Sequence, residues 1–309
     1  MPADPLFRPA GTSTRRLKIL LWGDSGSGKT TLSLQFPRPA VIDLEGGTEH
    51  YGQSFKFDVL KATTADEISG AVDWLLTHDH EYRTLIIDPI SLYWDALQKK
   101  WSDIFLRRNK ASKGHHGEYF DLQPRDWQTL KAEHKDLVRR LIQLDMNVIV
   151  TARQKAQYAD GGFMRVVGET FDGEKSLPYL FDTILRLSRD DKGRFMAENL
   201  KDRTGKLPSG HFEVSYTALE SCFGQDTLVR RAEPVRLATP EQISLLRHFI
   251  AASGMKDELV VSRLRDYGAD RLEALNQENA QRIIAKFEAA EKPAAHPVTQ
   301  AKETDHAAH

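Results

Sequence analysis

The chain has 309 residues, with 43 Lys or Arg against 44 Asp or Glu, a formal net charge of -1, 40% hydrophobic and 28% charged residues. These proportions are ordinary for soluble domains, and no apolar run approaches the ~20 residues that would span a bilayer. A single cysteine, Cys222, excludes an internal disulfide and a thiolate metal cage, so the sequence predicts a soluble, cytoplasmic protein with no membrane partner.

Residues 1–16 contain Pro2, Pro5 and Pro9, which block helix and strand alike, and no apolar stretch of the secretory kind; they read as a flexible N-terminal arm. From 17 to 230 short β-rich runs alternate with helical stretches. The runs are LKILLW, AVIDLE, TLIIDPI, MNVIVTA and DTILRLSR, each apolar on both faces, as strands of a parallel sheet covered on both sides should be. Between them, WQTLKAEHKDLVRRLIQL places Trp127, Leu130, His134, Leu137, Val138, Leu141 and Ile142 on one helical face. The alternation predicts an α/β fold with a mostly parallel sheet. Beyond a linker near RAEPVRLA, residues 239–290 predict a small all-α module, opened by the capping-box sequence TPEQ. Residues 291–309 are poor in large apolar side chains and read as a disordered tail.

The stretch GDSGSGKTT follows the first strand directly and fits G-x-x-x-x-G-K-[ST]. Its backbone from Gly23 through Asp24, Ser25, Gly26, Ser27 and Gly28 would turn N–H groups around phosphates, with Lys29 as a point charge, Thr30 as a Mg²⁺ ligand and Thr31 closing the loop. A strand-end carboxylate near the metal is also required, and Asp88 in TLIIDP supplies one. Pro89 follows it, so the group that orients water must come from elsewhere. Glu45, at the end of VIDLE, is placed to face the γ-phosphate across the carboxyl edge of the sheet. ATP and Mg²⁺ are therefore the expected ligands.

These residues together resemble the RecA superfamily. VIDLEGGTEHYG is similar to the strand whose terminal Glu activates water, TLIIDPI to the metal-binding strand, and NVIVTARQ to the strand that ends in a γ-phosphate sensor. The resemblance implies a RecA-like P-loop core over residues 17–210, with Arg153 or Gln154 as the sensor. It also implies that Lys201 and Arg203, in ENLKDRTGK, reach into a neighbouring subunit's ATP site. Compact size, an early P-loop and a short helical C-terminus look most like phage-encoded RecA-like single-strand annealing or recombination ATPases. A replicative helicase or loader, or a nucleotide-switched recruitment module, fits the same machinery.

In that reading the partners are single-stranded DNA, further copies of the chain in a ring or filament, and a single-strand-binding protein. The first DNA candidate is residues 98–125, which carry seven basic residues against three acids. Lys99, Lys100, Arg107, Arg108, Lys110 and Lys113 alternate there with Trp101, Phe105, Tyr119 and Phe120, which suits charge tracking and base stacking. The second is residues 155–173, a glycine-containing loop with Lys155 and Arg165. Within the arm, Phe7 and Ala10 of FRPA resemble a peptide by which some recombinases dock on the next subunit.

Overall fold

A computed structural model of the protein describes residues 16–108, 122, 124–159, 165–267, 269 and 271–291. The chain divides between Pro234 and Val235 into two compact units.

In the first unit, β1 (Lys18–Gly23) is buried at every position, because it lies mid-sheet with helices over both faces. Its parallel neighbours are β5 (Asn147–Tyr158) and β7 (Thr183–Arg189). Beyond β5 come β4 (Thr84–Asp88), β2 (Pro39–Asp43) and the edge strand β3 (Asp58–Lys61), all parallel. On the other side β8 (Phe195–Asp202) and β9 (Gly210–Glu213) continue the sheet antiparallel. A further strand, β6 (Val166–Phe171), pairs antiparallel with the outer half of β5.

The sheet is larger than the sequence pattern suggested. The five apolar runs are its parallel centre, whereas β3, β6, β8 and β9 are polar or exposed along much of their length and carry no two-sided apolar signal. Residues 155–173 are consequently not simply a loop: Lys155 to Tyr158 extend β5 and pair with Val166 to Thr170.

Helix α1 (Lys29–Leu34) follows the P-loop and buries Leu32, Ser33 and Leu34. Helix α2 (Ala65–Thr77) starts on a reciprocal cap, in which the Thr64 hydroxyl accepts from the Glu67 N–H and the Glu67 carboxylate from the Thr64 N–H. Helices α3 (Ile90–Arg108) and α4 (Pro124–Gln143) complete that cover. On α4 the predicted face buries Leu130, His134, Leu137, Val138 and Leu141, but Ile142 is 42% exposed and Trp127 only half-buried. Asp126 takes a buried position instead, since the face that meets the sheet starts one residue earlier. Short helices α5 (Leu177–Leu180), α6 (Tyr216–Phe223) and α7 (Gln225–Val229) link and cover the far strands.

Arg16 corrects the predicted arm boundary, for it is buried at 5% exposure. Its guanidinium donates to both Asp145 oxygens and to the carbonyls of Thr227, Arg230 and Arg231, clamping the end of α7 to the turn before β5.

The second unit packs α8 (Pro240–Ser253), α9 (Asp257–Arg265) and α10 (Gln277–Glu291) around Leu246, Phe249, Leu264, Leu275, Ala280 and Ile284. Thr239 and Gln242 form the reciprocal cap that TPEQ foretold, and Phe249 stacks on Phe287 with ring centres 5.3 Å apart. Among the described residues no helix is long and apolar enough to cross a membrane.

Candidate nucleotide-binding site

Parallel strands deliver their ends to one edge of a sheet, and here β1, β2, β4 and β5 deliver Gly23, Glu45, Asp88 and Arg153 to the same one. Two glycines make the loop after β1 possible. A Cβ on Gly23, at φ 155°, would sit 2.2 Å from the Leu187 carbonyl oxygen, and one on Gly28, at φ 91°, would sit 2.4 Å from the Phe195 ring. The loop is tied together by its own lysine: Lys29 Nζ donates to the carbonyls of Gly23 (2.9 Å) and Asp24 (2.8 Å) and to Ser27 Oγ (3.3 Å). Burial pulls the Lys29 ammonium below its ordinary value, while Asp88, Asp24 and Glu45 act to hold the charge on.

Asp88 is 8% exposed at the end of β4. Thr30 Oγ1 donates to its Oδ2 at 2.6 Å, and Thr151 Oγ1 donates to its Oδ1. Burial pushes the Asp88 carboxyl up; the two hydroxyls oppose that rise, and the charges of Glu45 and Asp43 add to it. Thr151 escaped the sequence reading, although a lone hydroxyl in the buried run NVIVTA was the available signal.

Glu45 is positioned by a turn that Asp43 organises. The Asp43 carboxylate accepts from the backbone N–H of Glu45 (2.9 Å), Gly46 (2.8 Å) and Thr48 (2.9 Å) and from the Thr48 hydroxyl. Burial alone would raise Asp43, but these bonds outweigh it and hold its carboxyl below the usual range. Arg153 then meets Glu45, its Nε and one terminal nitrogen donating to Oε1 at 2.8 and 2.5 Å. Arg153 aligns with Gly23 in the β1–β5 register and shares a face with Thr151, whereas Gln154 faces the other way and pairs with Phe171 of β6. Of the two predicted sensors, only Arg153 joins Glu45. Buried Ser91, at the start of α3, accepts from the Arg153 N–H (3.1 Å) and donates to the Asp172 carbonyl (2.7 Å).

A family model described as an AAA domain matches residues 15–207, more than half of the chain. The chain belongs to the AAA-domain family. Membership makes this AAA-domain protein a P-loop nucleoside triphosphatase. A crystal structure of the RadB recombinase has a TM-score of 0.40 and 19% identity to it, covering 66% of this chain and 90% of that one. No curated protein matches it.

Several residues of the AAA-domain protein predicted to contact DNA or a neighbouring subunit make bonds within the chain. Lys100 is spent on Asp66 (2.7 Å) and Glu133 (2.6 Å), and Trp101 donates to Glu133 (2.7 Å), so both seal α3 against its neighbouring helices. Lys155 pairs with Asp172 at 2.8 Å. Lys201 donates to the carbonyls of Pro178 and Phe181, both at 2.6 Å, and is held within its own chain, while Arg203 stays exposed with Asp182 3.5 Å away. Lys99, Arg107 and Arg165 are exposed. Phe7, Ala10, Lys110, Lys113, Tyr119 and Phe120 lie outside the described residues, as does the side chain of Arg108.

Proposed function

We propose that the protein is an ATPase that works on single-stranded DNA as a head-to-tail assembly, of the recombination or annealing kind found in phages. The observation that carries the catalytic half is the convergence of Lys29, Asp88 with its two hydroxyls, and the Glu45–Arg153 pair on one sheet edge. ATP phosphates lie in the loop from Gly23 to Thr31, with Lys29 releasing its loop carbonyls to take the β and γ oxygens. Thr30 and Asp88 fit Mg²⁺, since a hydroxyl and a carboxylate side by side are the hard oxygen donors that ion accepts. A bound Mg²⁺ would neutralise phosphate charge there. Glu45 orients the attacking water and takes its proton, and Arg153, leaving Glu45, stabilises charge on the γ-phosphate.

Two features support the DNA half: the basic run around Arg107, Arg108 and Lys110, and exposed Tyr158, Val166, Val167 and Arg165 on the β5–β6 hairpin. Arg203 is the residue left to act across a subunit boundary, where a second copy or a single-strand-binding protein would add contacts. The test is ATP hydrolysis with and without single-stranded DNA, for wild type and for a variant with Arg107, Arg108 and Lys110 all changed to alanine. Stimulation that the variant loses is the expected result. An unstimulated wild type overturns the DNA reading and leaves a nucleotide-switched recruitment module.

A further inference from the structure

The nucleotide reading assigns every group that meets phosphate or water and none that meets the base. A nucleoside triphosphate carries its base at the end opposite the γ-phosphate, away from the groups that meet that phosphate and water. Glu45, Asp88 and Arg153 stand on or just beyond β2, β4 and β5, on one side of β1. On the opposite side of β1 lie β7 and β8.

That side holds a ready-made stack. In the β1–β7 register Gly23 lies beside Leu187, so Arg189 stands two residues further out on the same face. Arg189 pairs across the β7–β8 ladder with Phe195, and its guanidinium carbon sits 4.5 Å from the centre of that ring. The ring edge in turn is the surface that a Cβ at Gly28 would strike. Phe195 is half-buried and Arg189 exposed, so the outer face of the guanidinium is open. The turn between them is rigid: Asp190 accepts from the backbone N–H of Lys192 (3.0 Å) and Arg194 (2.8 Å) and from Arg194 Nε (2.8 Å).

Charge pairing singles out the same residue. Arg186 has Glu169 and Glu198, and Arg194 has Asp190 and Glu213, whereas Arg189 has no carboxylate partner among the described residues. An exposed arginine without a carboxylate partner among the described residues, its guanidinium carbon over a ring beside a phosphate loop, has the planar, weakly hydrated surface on which bases stack.

We propose that Arg189, backed by Phe195, is the platform on which the base of the bound nucleotide stacks. The proposal rests on the nucleotide reading above and adds the base-binding surface to it. Because a larger ring system overlaps the guanidinium more fully, purines bind better than pyrimidines.

The test measures dissociation constants by calorimetry for ATP, CTP and inorganic tripolyphosphate at fixed Mg²⁺, with wild type, Arg189→Lys and Phe195→Leu. Lysine keeps the charge and leucine keeps an apolar contact with Gly28; each removes the flat surface. Both variants should bind ATP about tenfold more weakly while their tripolyphosphate affinity stays within about twofold of wild type. Equal weakening of ATP and tripolyphosphate would mean that the pair only shapes the loop, and unchanged ATP affinity would mean that the base lies elsewhere; either overturns the platform. A wild type that binds neither ligand overturns the nucleotide reading itself, and the platform with it.

Discussion

Replacing Thr151 with valine tests the tuning of Asp88. Valine keeps the branched shape that suits a central strand and removes one hydroxyl, so the packing of β5 changes little. What changes is the solvation of a carboxylate that is 8% exposed and whose two oxygens each take one hydroxyl. A hydrogen bond to a charged group contributes about 1.5–3 kcal/mol, and a neutral one about 1. At about pH 8, with Asp88 ionised, the variant should therefore lose about 2 kcal/mol, which moves a urea midpoint by about 1 M at a slope of ~2 kcal/mol per M. The sign with pH follows from burial, which raises the native carboxyl above its unfolded value. The stability this group contributes is full below the unfolded value and is lost as pH rises through the native one. Removing the Thr151 donor raises the native value further, so the deficit should grow from about 1 kcal/mol in acid to about 2 at pH 8. Urea unfolding followed by tryptophan fluorescence measures it, with Trp22 on the adjacent strand in register with Ala152. A deficit equal at both pH values, or below about 0.5 kcal/mol, would refute the account of Asp88 as a buried ion held by two hydroxyls.

Other substitutions probe the rest of the site and its frame. Lys29→Ala removes both the phosphate charge and the tie to Gly23 and Asp24, and ATP turnover should fall to background. Glu45→Gln should keep ATP binding, measured by calorimetry, but slow turnover by about 10²–10⁴, the range for losing a general base. Gly28→Ala forces a methyl into the Phe195 ring at a left-handed φ and should abolish nucleotide binding at a cost of about 2 kcal/mol in stability. Arg16→Ala leaves three carbonyls without their donor and Asp145 with Arg230 as its remaining guanidinium partner, and chemical denaturation should show a loss of about 1–3 kcal/mol.

The phosphate loop and its carboxylates were legible because each is a local pattern: a glycine spacing after an apolar strand, or an acid at the end of one. Thr151 and Ser91 were not, since what makes them matter is strand register and the start of a helix brought against Asp172, neither of which leaves a local pattern. The intrachain partners of Lys100, Lys155 and Lys201 were hidden for a related reason. A basic residue looks free in sequence, yet Glu133, Asp172 and the carbonyls of Pro178 and Phe181 reach these three from remote segments. The outer strands stayed hidden because an edge strand such as β3, exposed at all four positions, need not be apolar at all.

Ser91 spends its single hydroxyl twice, accepting from the backbone of Arg153 and donating to that of Asp172. The first strand end touches Glu45; the second closes the hairpin made by the outer parts of β5 and β6. A buried oxygen bonded on both sides ties the hairpin and the backbone of Arg153 to one point at the start of α3. Should a bound nucleotide draw Arg153 away from Glu45, Ser91 is the link through which the strand pair would register it.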